Sequence, residues 1–140
     1  MELDGKDYYF DEEGKYDSTK VRPMVALTYD DGPGQYTEKL LQCLQENNAK
    51  ATFFMLGENA EKYPDIVKEL KDAGMELGNH TYDHQILTSL SQDQISSEIS
   101  KANEAIQNGA GVPADTLRPP GGSCNETVQQ LANMPIIKWS

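Results

Sequence analysis

Short apolar runs alternate with longer amphipathic stretches along most of this chain. Met24-Val25-Ala26-Leu27-Thr28 is a compact apolar run ending at an acidic turn, as expected of a buried parallel strand. Residues 36–46 then carry Leu40, Leu41 and Leu44 at helical spacing, closed by Asn47-Asn48. Ala51-Thr52-Phe53-Phe54-Met55-Leu56 reads as a second strand, and Pro64 opens a helix that runs through residue 73 to Gly74. Residues 75–77 form a third short strand. Ser91 is placed to cap a helix over 92–107, with Ile95, Ile99, Ala102 and Ile106 as its apolar stripe. Residues 116–118, 125–133 and 136–139 read as strand, helix and strand.

Strand and helix alternating in this way predict an α/β fold, a parallel sheet covered by helices. Residues 1–22 do not follow the pattern. There, aromatic residues lie between glycine turns, which predicts an N-terminal arm or β-hairpin ahead of a domain over 23–140.

The most polar clusters all fall just after predicted strands. These are Thr28-Tyr29-Asp30-Asp31-Gly32-Pro33, His80-Thr81-Tyr82-Asp83-His84 and Arg118-Pro119-Pro120-Gly121-Gly122. Carboxyl ends of strands are where α/β barrels and open α/β sheets place their sites.

The 140 residues suffice for one domain. Twelve basic side chains stand against 23 acidic ones, which argues against nucleic acid or an anionic membrane as partner. No apolar run reaches membrane-spanning length, and Met1-Glu2-Leu3-Asp4 does not read as a signal peptide. An exported protein would therefore carry its export signal outside this chain. Cys43 and Cys124 are far apart in sequence and read as free thiols.

The chain has two histidines, His80 and His84, four residues apart. That spacing lets two imidazoles share a cation, although solvated or packed histidines are the commoner outcome. The zinc-protease pattern is excluded, because Thr81 stands where its glutamate base would be. Asp30 and Asp31 repel each other unless something separates their roles. A turn pair before Gly32-Pro33 is the plain reading. The functional reading gives one aspartate to a metal and the other to proton transfer. One aspartate and two histidines make an open catalytic set, with positions left for water and substrate. Arg118, at another strand end, would hold a neighbouring aspartate ionised and oriented. Gly121-Gly122 could present backbone N–H groups to a ligand. Cys124 has no spare histidine to activate it as a nucleophile.

Taken together, the clusters resemble the polysaccharide deacetylases, carbohydrate esterase family four, over about residues 24–139. Leu27-Thr28-Tyr29-Asp30-Asp31-Gly32-Pro33 matches the first family motif, with Tyr29 where Phe is commoner. Ala51-Thr52-Phe53-Phe54 matches the second strand, Gly78-Asn79-His80-Thr81-Tyr82-Asp83-His84 the second motif, and Arg118-Pro119-Pro120-Gly121-Gly122 the third. The resemblance implies a distorted (β/α) barrel and removal of N-acetyl groups from N-acetylglucosamine polymers, peptidoglycan or chitin oligomers first. Acetylated xylan is the alternative within the family. It implies Asp30 as general base, oriented by Arg118. Asp31, His80 and His84 would hold one divalent cation, zinc first, with cobalt, manganese or nickel also suited. It further implies an extracellular or cell-wall location and a glycan partner.

Two departures stand out. Gly121-Gly122 replaces a Pro-aromatic pair whose backbone serves the oxyanion. The family's later Asp/Trp motif and late acid histidine are not among these residues. The expectation is an N-terminal portion of a catalytic domain, incomplete at the barrel's C-terminal end and poorly active alone. Such a chain would be able to pair through its last strand. Residues 4–15 also resemble the end of an aromatic cell-wall-binding repeat, with Asp7 at the usual Trp position.

Three other readings share part of this pattern. A non-haem iron oxygenase shares the ligand set but favours a β-rich scaffold. A receiver-type phosphorylation domain would want Asp and Lys where His80 and Arg118 stand. A degenerate domain would bind metal and glycan without turnover.

Overall fold

The structure is a computed structural model and describes residues 2–3, 6–7, 13–15 and 25–139. Of the N-terminal arm, β1 (Glu2–Leu3) and β2 (Lys6–Asp7) pair antiparallel, Glu2 opposite Asp7 and Leu3 opposite Lys6. Of the arm or hairpin expected over 1–22, only this pairing and residues 13–15 are described; the rest lies outside the described residues.

The main sheet is parallel, ordered β3 (Leu27–Gly32), β4 (Ala51–Met55), β5 (Glu76–Asn79). Two isolated parallel bridges continue it, Asn79 to Leu117 and Leu117 to Ile136. Neighbours in space thus follow chain order, as in a barrel wall. Helices α1 (Thr37–Glu46), α2 (Gly57–Lys62), α3 (Pro64–Asp72), α4 (Gln92–Ala110) and α5 (Glu126–Ala132) cover the outside. Leu41, Leu44, Phe53, Met55, Val67, Leu70 and Ile106 fill the larger core beneath α1, α3 and α4. A second cluster joins Ile95 and Ile99 of α4 to Leu117 and Val128.

Several elements differ from the expectation. Strand β3 begins at Leu27, leaving Val25 and Ala26 of the expected strand outside it, and Val25 is 81% exposed; Met24 lies outside the described residues. The strand also contains both aspartates instead of ending before them. Among the described residues β3 has only β4 beside it, so its apolar start lacks a second neighbour to bury against. Helix α2 was not expected. Gly57-Glu58-Asn59-Ala60-Glu61-Lys62 has one buried apolar side chain, Ala60, which is too little for a periodic stripe. The expected strands at 116–118 and 136–139 are single bridges. Pro119, Pro120 and Pro135 lack the N–H that a longer ladder needs. Helix α4 runs three residues past Gln107. Its start is as expected: Ser91 and Gln94 form a reciprocal capping box.

Two glycines permit close approaches that shape the site. A Cβ on Gly78 would lie 2.3 Å from the Phe54 ring. A Cβ on Gly57 would lie 2.6 Å from Tyr82 Cδ2 and 2.7 Å from Ala102 Cα. The first glycine lets Phe54 lie flat on the interior face of the sheet. The second lets α2 press against α4 and the histidine loop.

Candidate metal centre and its carboxylate neighbour

Asp30, Phe54 and Gly78 are aligned across β3, β4 and β5. Asp30 therefore projects on the interior side of the wall, over Phe54. The next residue does not continue the ladder. Asp30 pairs with Phe54 and Gly32 with Met55, so Asp31 is the extra residue of a bulge, with φ +69°. A bulge re-aims a side chain that simple alternation would send to the opposite face. The peptide is held there by Asn59 of α2, whose Nδ2 donates to the Asp31 carbonyl at 2.9 Å.

The two aspartates consequently meet different partners. Asp30 Oδ1 accepts from Arg118 Nη1 at 2.8 Å. Asp31 Oδ1 lies 3.4 Å from His80 Nε2 and 3.5 Å from His84 Nε2. A cation about 2.0–2.2 Å from each donor, at angles between octahedral and tetrahedral, separates the donors by about 3.0–3.5 Å. Asp31, His80 and His84 thus fit one small divalent cation. Asp31 and His84 are more than 40% exposed while His80 is buried, so the open side faces solvent.

The His80 ring is preset for this role. Its Nδ1 lies 2.5 Å from the Arg118 carbonyl, which can only accept. Nδ1 therefore carries the proton, and Nε2 presents its lone pair toward Asp31 and His84. Arg118 serves twice, its backbone orienting His80 and its side chain holding Asp30. The guanidinium is buried, donates also to Thr28 Oγ1 at 2.8 Å and to the Ile137 carbonyl at 3.3 Å, and stacks on Phe54 at 4.1 Å. Trp139 lies over it at 5.6 Å.

The loop from His80 to His84 is strained and strongly tied. Thr81 and His84 have φ of +71° and +67°, values that cost a non-glycine residue about 1–3 kcal/mol and persist only where surroundings impose them. The buried Thr81 hydroxyl has no partner among the described residues. Against this, Asn79 Oδ1 accepts from Thr81 N at 2.8 Å, and the first N–H groups of α2, from Gly57 and Glu58, donate to the Thr81 and Tyr82 carbonyls. Glu98 of α4 accepts from Tyr82 N and Asp83 N at 3.0 and 3.2 Å. Burial pushes the Glu98 carboxyl above its usual range, while those two N–H groups pull it back.

The structure brings together all five residues singled out in the sequence: Asp30, Asp31, His80, His84 and Arg118. It does not free the whole Gly121-Gly122 turn for a ligand, since Gly122 N–H donates to the Pro119 carbonyl at 3.0 Å. Cys43 and Cys124 are free thiols and take no part. Sequence reasoning missed Asn59, Asn79 and Glu98. Asn79 had a signal, its place directly before His80; Asn59 and Glu98 sit on polar helical stretches and had none. A cleft of about 530 Å³ opens beside the cluster, lined by Asp30, Asp31, Tyr36, Lys62 and Tyr63 among others.

Comparison with known proteins agrees with this geometry. The family described as Polysaccharide deacetylase matches residues 17–135. The chain belongs to the polysaccharide deacetylase family. It is 44% identical over 120 residues to a peptidoglycan-N-acetylglucosamine deacetylase of Bacillus cereus, covering 83% of this chain and 44% of that protein. It is 38% identical over 124 residues to a bifunctional xylanase/deacetylase of Pseudobutyrivibrio xylanivorans, covering 88% of this chain and 21% of that one. The solved family 4 carbohydrate esterase from Streptomyces lividans, in complex with acetate, superposes with a TM-score of 0.82 at 36% identity. That match covers 86% of this chain and 65% of the esterase. The fold is thus the family's α/β barrel type, and the chain spans less than half the length of either curated relative.

Proposed function

We propose that the protein is a metal-dependent deacetylase that removes N-acetyl groups from N-acetylglucosamine-containing glycan, with peptidoglycan as its first substrate. The observation that carries the reading is the division at the bulge. Asp31 faces two histidine nitrogens at 3.4 and 3.5 Å, while Asp30 is held separately by Arg118. Asp31, His80 and His84 would hold the divalent cation, zinc first, which would supply Lewis acidity toward the acetamide carbonyl and the attacking water. Asp30 accepts that water's proton. Its Oδ1 is occupied by Arg118 Nη1, which leaves Oδ2 for the transfer. His80 and His84 are both committed to the metal set, so the acid that protonates the leaving amine is a residue other than these two. The glycan lies in the cleft beside Asp31, where exposed Tyr36 offers a ring face and Lys62 a cation.

Acetate release tests the reading. The intact enzyme is expected to release acetate from N-acetylated glycan strands at least about tenfold faster than from acetylated xylan, a difference of about 1.4 kcal/mol in transition-state binding. A preference for xylan would favour the O-acetyl esterase alternative, which the xylanase/deacetylase relative supports. No acetate from either would favour a domain that binds without turnover. Peptidoglycan as substrate would also set the location as extracellular or cell-wall associated.

The same proposal includes self-association of this 140-residue chain through residues 136–139. Ile137 and Trp139 are exposed, and the bridge at Ile136 has Leu117 as its only partner among the described residues. Light scattering is expected to show dimers at micromolar concentration. A monomer across that range removes the idea.

A further inference from the structure

We propose that Glu98 is a positioning residue for the histidine loop, fixing His84 through the Tyr82 and Asp83 amides; this rests on the metal reading of the site.

The two metal-set histidines are held by unlike means. His80 is buried, follows β5 directly and is fixed through Nδ1 by the Arg118 carbonyl. His84 is half-exposed, has φ +67°, and shows no side-chain hydrogen bond among the described residues. Its place is set by the backbone that leads to it. That backbone passes through Thr81 at φ +71° and would relax if released.

Three ties resist relaxation. Asn79 and the α2 N–H groups fasten Thr81 and the Tyr82 carbonyl, at the beginning of the loop. The Tyr82 hydroxyl donates to Glu61 at the protein surface. Glu98 is the tie nearest His84. One oxygen, Oε2, collects two successive N–H groups, Tyr82 at 3.0 Å and Asp83 at 3.2 Å. A single acceptor for consecutive amides fixes the orientation of both peptide planes. Glu98 stands one turn from the buried Ile95 and directly before Ile99 on α4, so the acceptor is anchored on a packed helix. Partners that orient ligands in this way typically account for about ten- to a hundredfold in metal affinity.

The experiment compares Glu98→Ala and Glu98→Gln with the parent protein, under conditions where circular dichroism shows all three folded. Zinc affinity is read by calorimetry, and amide exchange at Tyr82 and Asp83 is read without metal. Glu98→Ala is expected to bind zinc about ten- to a hundredfold more weakly and to lose protection at both amides. Glu98→Gln keeps a side-chain carbonyl that can accept both N–H groups, and is expected to stay within about threefold of the parent. A purely structural carboxylate would not be rescued by the amide. Equal zinc affinity in the alanine variant and the parent overturns the proposal, as does equal weakening in both variants. If the parent itself binds no zinc, the metal reading fails. The exchange data then decide Glu98 alone: unchanged protection at Tyr82 and Asp83 in the alanine variant overturns its role.

Discussion

Asp30→Asn in the intact enzyme is expected to keep its metal and lose about 10²- to 10⁴-fold in turnover, the usual worth of a positioned base. Asn is the same size as Asp, and its oxygen can still accept from Arg118 Nη1, so the local structure survives. What it lacks is a second oxygen able to take a proton. Asp31→Asn is expected to behave the other way. Its oxygen is the one facing His80 and His84 at 3.4 and 3.5 Å. An amide there loses the negative charge opposite the cation, so metal content should fall first and activity with it. Inductively coupled plasma analysis beside single-turnover kinetics separates the two outcomes. The reason for the asymmetry is the bulge, since Asp31 is unpaired between Asp30 and Gly32 at φ +69°. Equal metal loss in both variants would mean a shared or dinuclear site and would refute the division.

The sequence made the five site residues legible because their chemistry is local. His80 and His84 are four apart, Asp30 and Asp31 are adjacent, and each cluster follows a short apolar run in the sequence, although β3 itself contains both aspartates. Adjacent side chains on a strand diverge, which separates the two aspartates, but strict alternation would send Asp31 to the opposite face and not to the histidines. The bulge that re-aims it was not foreseeable. The bulge depends on Asn59 reaching the Asp31 carbonyl from α2, a helix with a single buried apolar side chain. Glu98 was hidden for a related reason. It lies beside the apolar stripe of α4 among Ser96, Ser97 and Ser100, and nothing in that pattern marks an acceptor for a loop fifteen residues back. Strand length was misjudged at 116–118 and 136–139. The apolar residues there predict strands, but Pro119, Pro120 and Pro135 lack the N–H groups that would extend each bridge into a ladder. Local patterning reveals which residue types are gathered. It does not reveal the long-range hydrogen bonds that hold them in strained conformations.

Arg118→Ala is expected to cost about 3 kcal/mol of stability, at the low end for breaking a buried pair because Asp30 is 29% exposed and water can reach it. For a domain of this size that lowers the melting temperature by roughly 10 °C. The side chain is nearly inaccessible and links three separate pieces of chain. Nη1 donates to Thr28 and Asp30 on β3, Nε donates to the Ile137 carbonyl, and the plane stacks on Phe54 of β4. Removing it leaves Asp30 charged over an apolar ring and the Ile137 carbonyl short of a donor. Arg118→Lys should recover less than half of the loss. A lysine keeps the charge, but its ammonium cannot span all three acceptors or stack as a plane. Pairing with Asp30→Asn supplies the decisive measurement. If Arg118 acts chiefly by compensating that carboxylate, the double variant should be more stable than the sum of the single losses by at least about 1 kcal/mol. Strict additivity in denaturant unfolding would show that packing against Phe54 and Trp139, not the ion pair, is what Arg118 contributes. Asp30 would then owe its orientation to β3 alone.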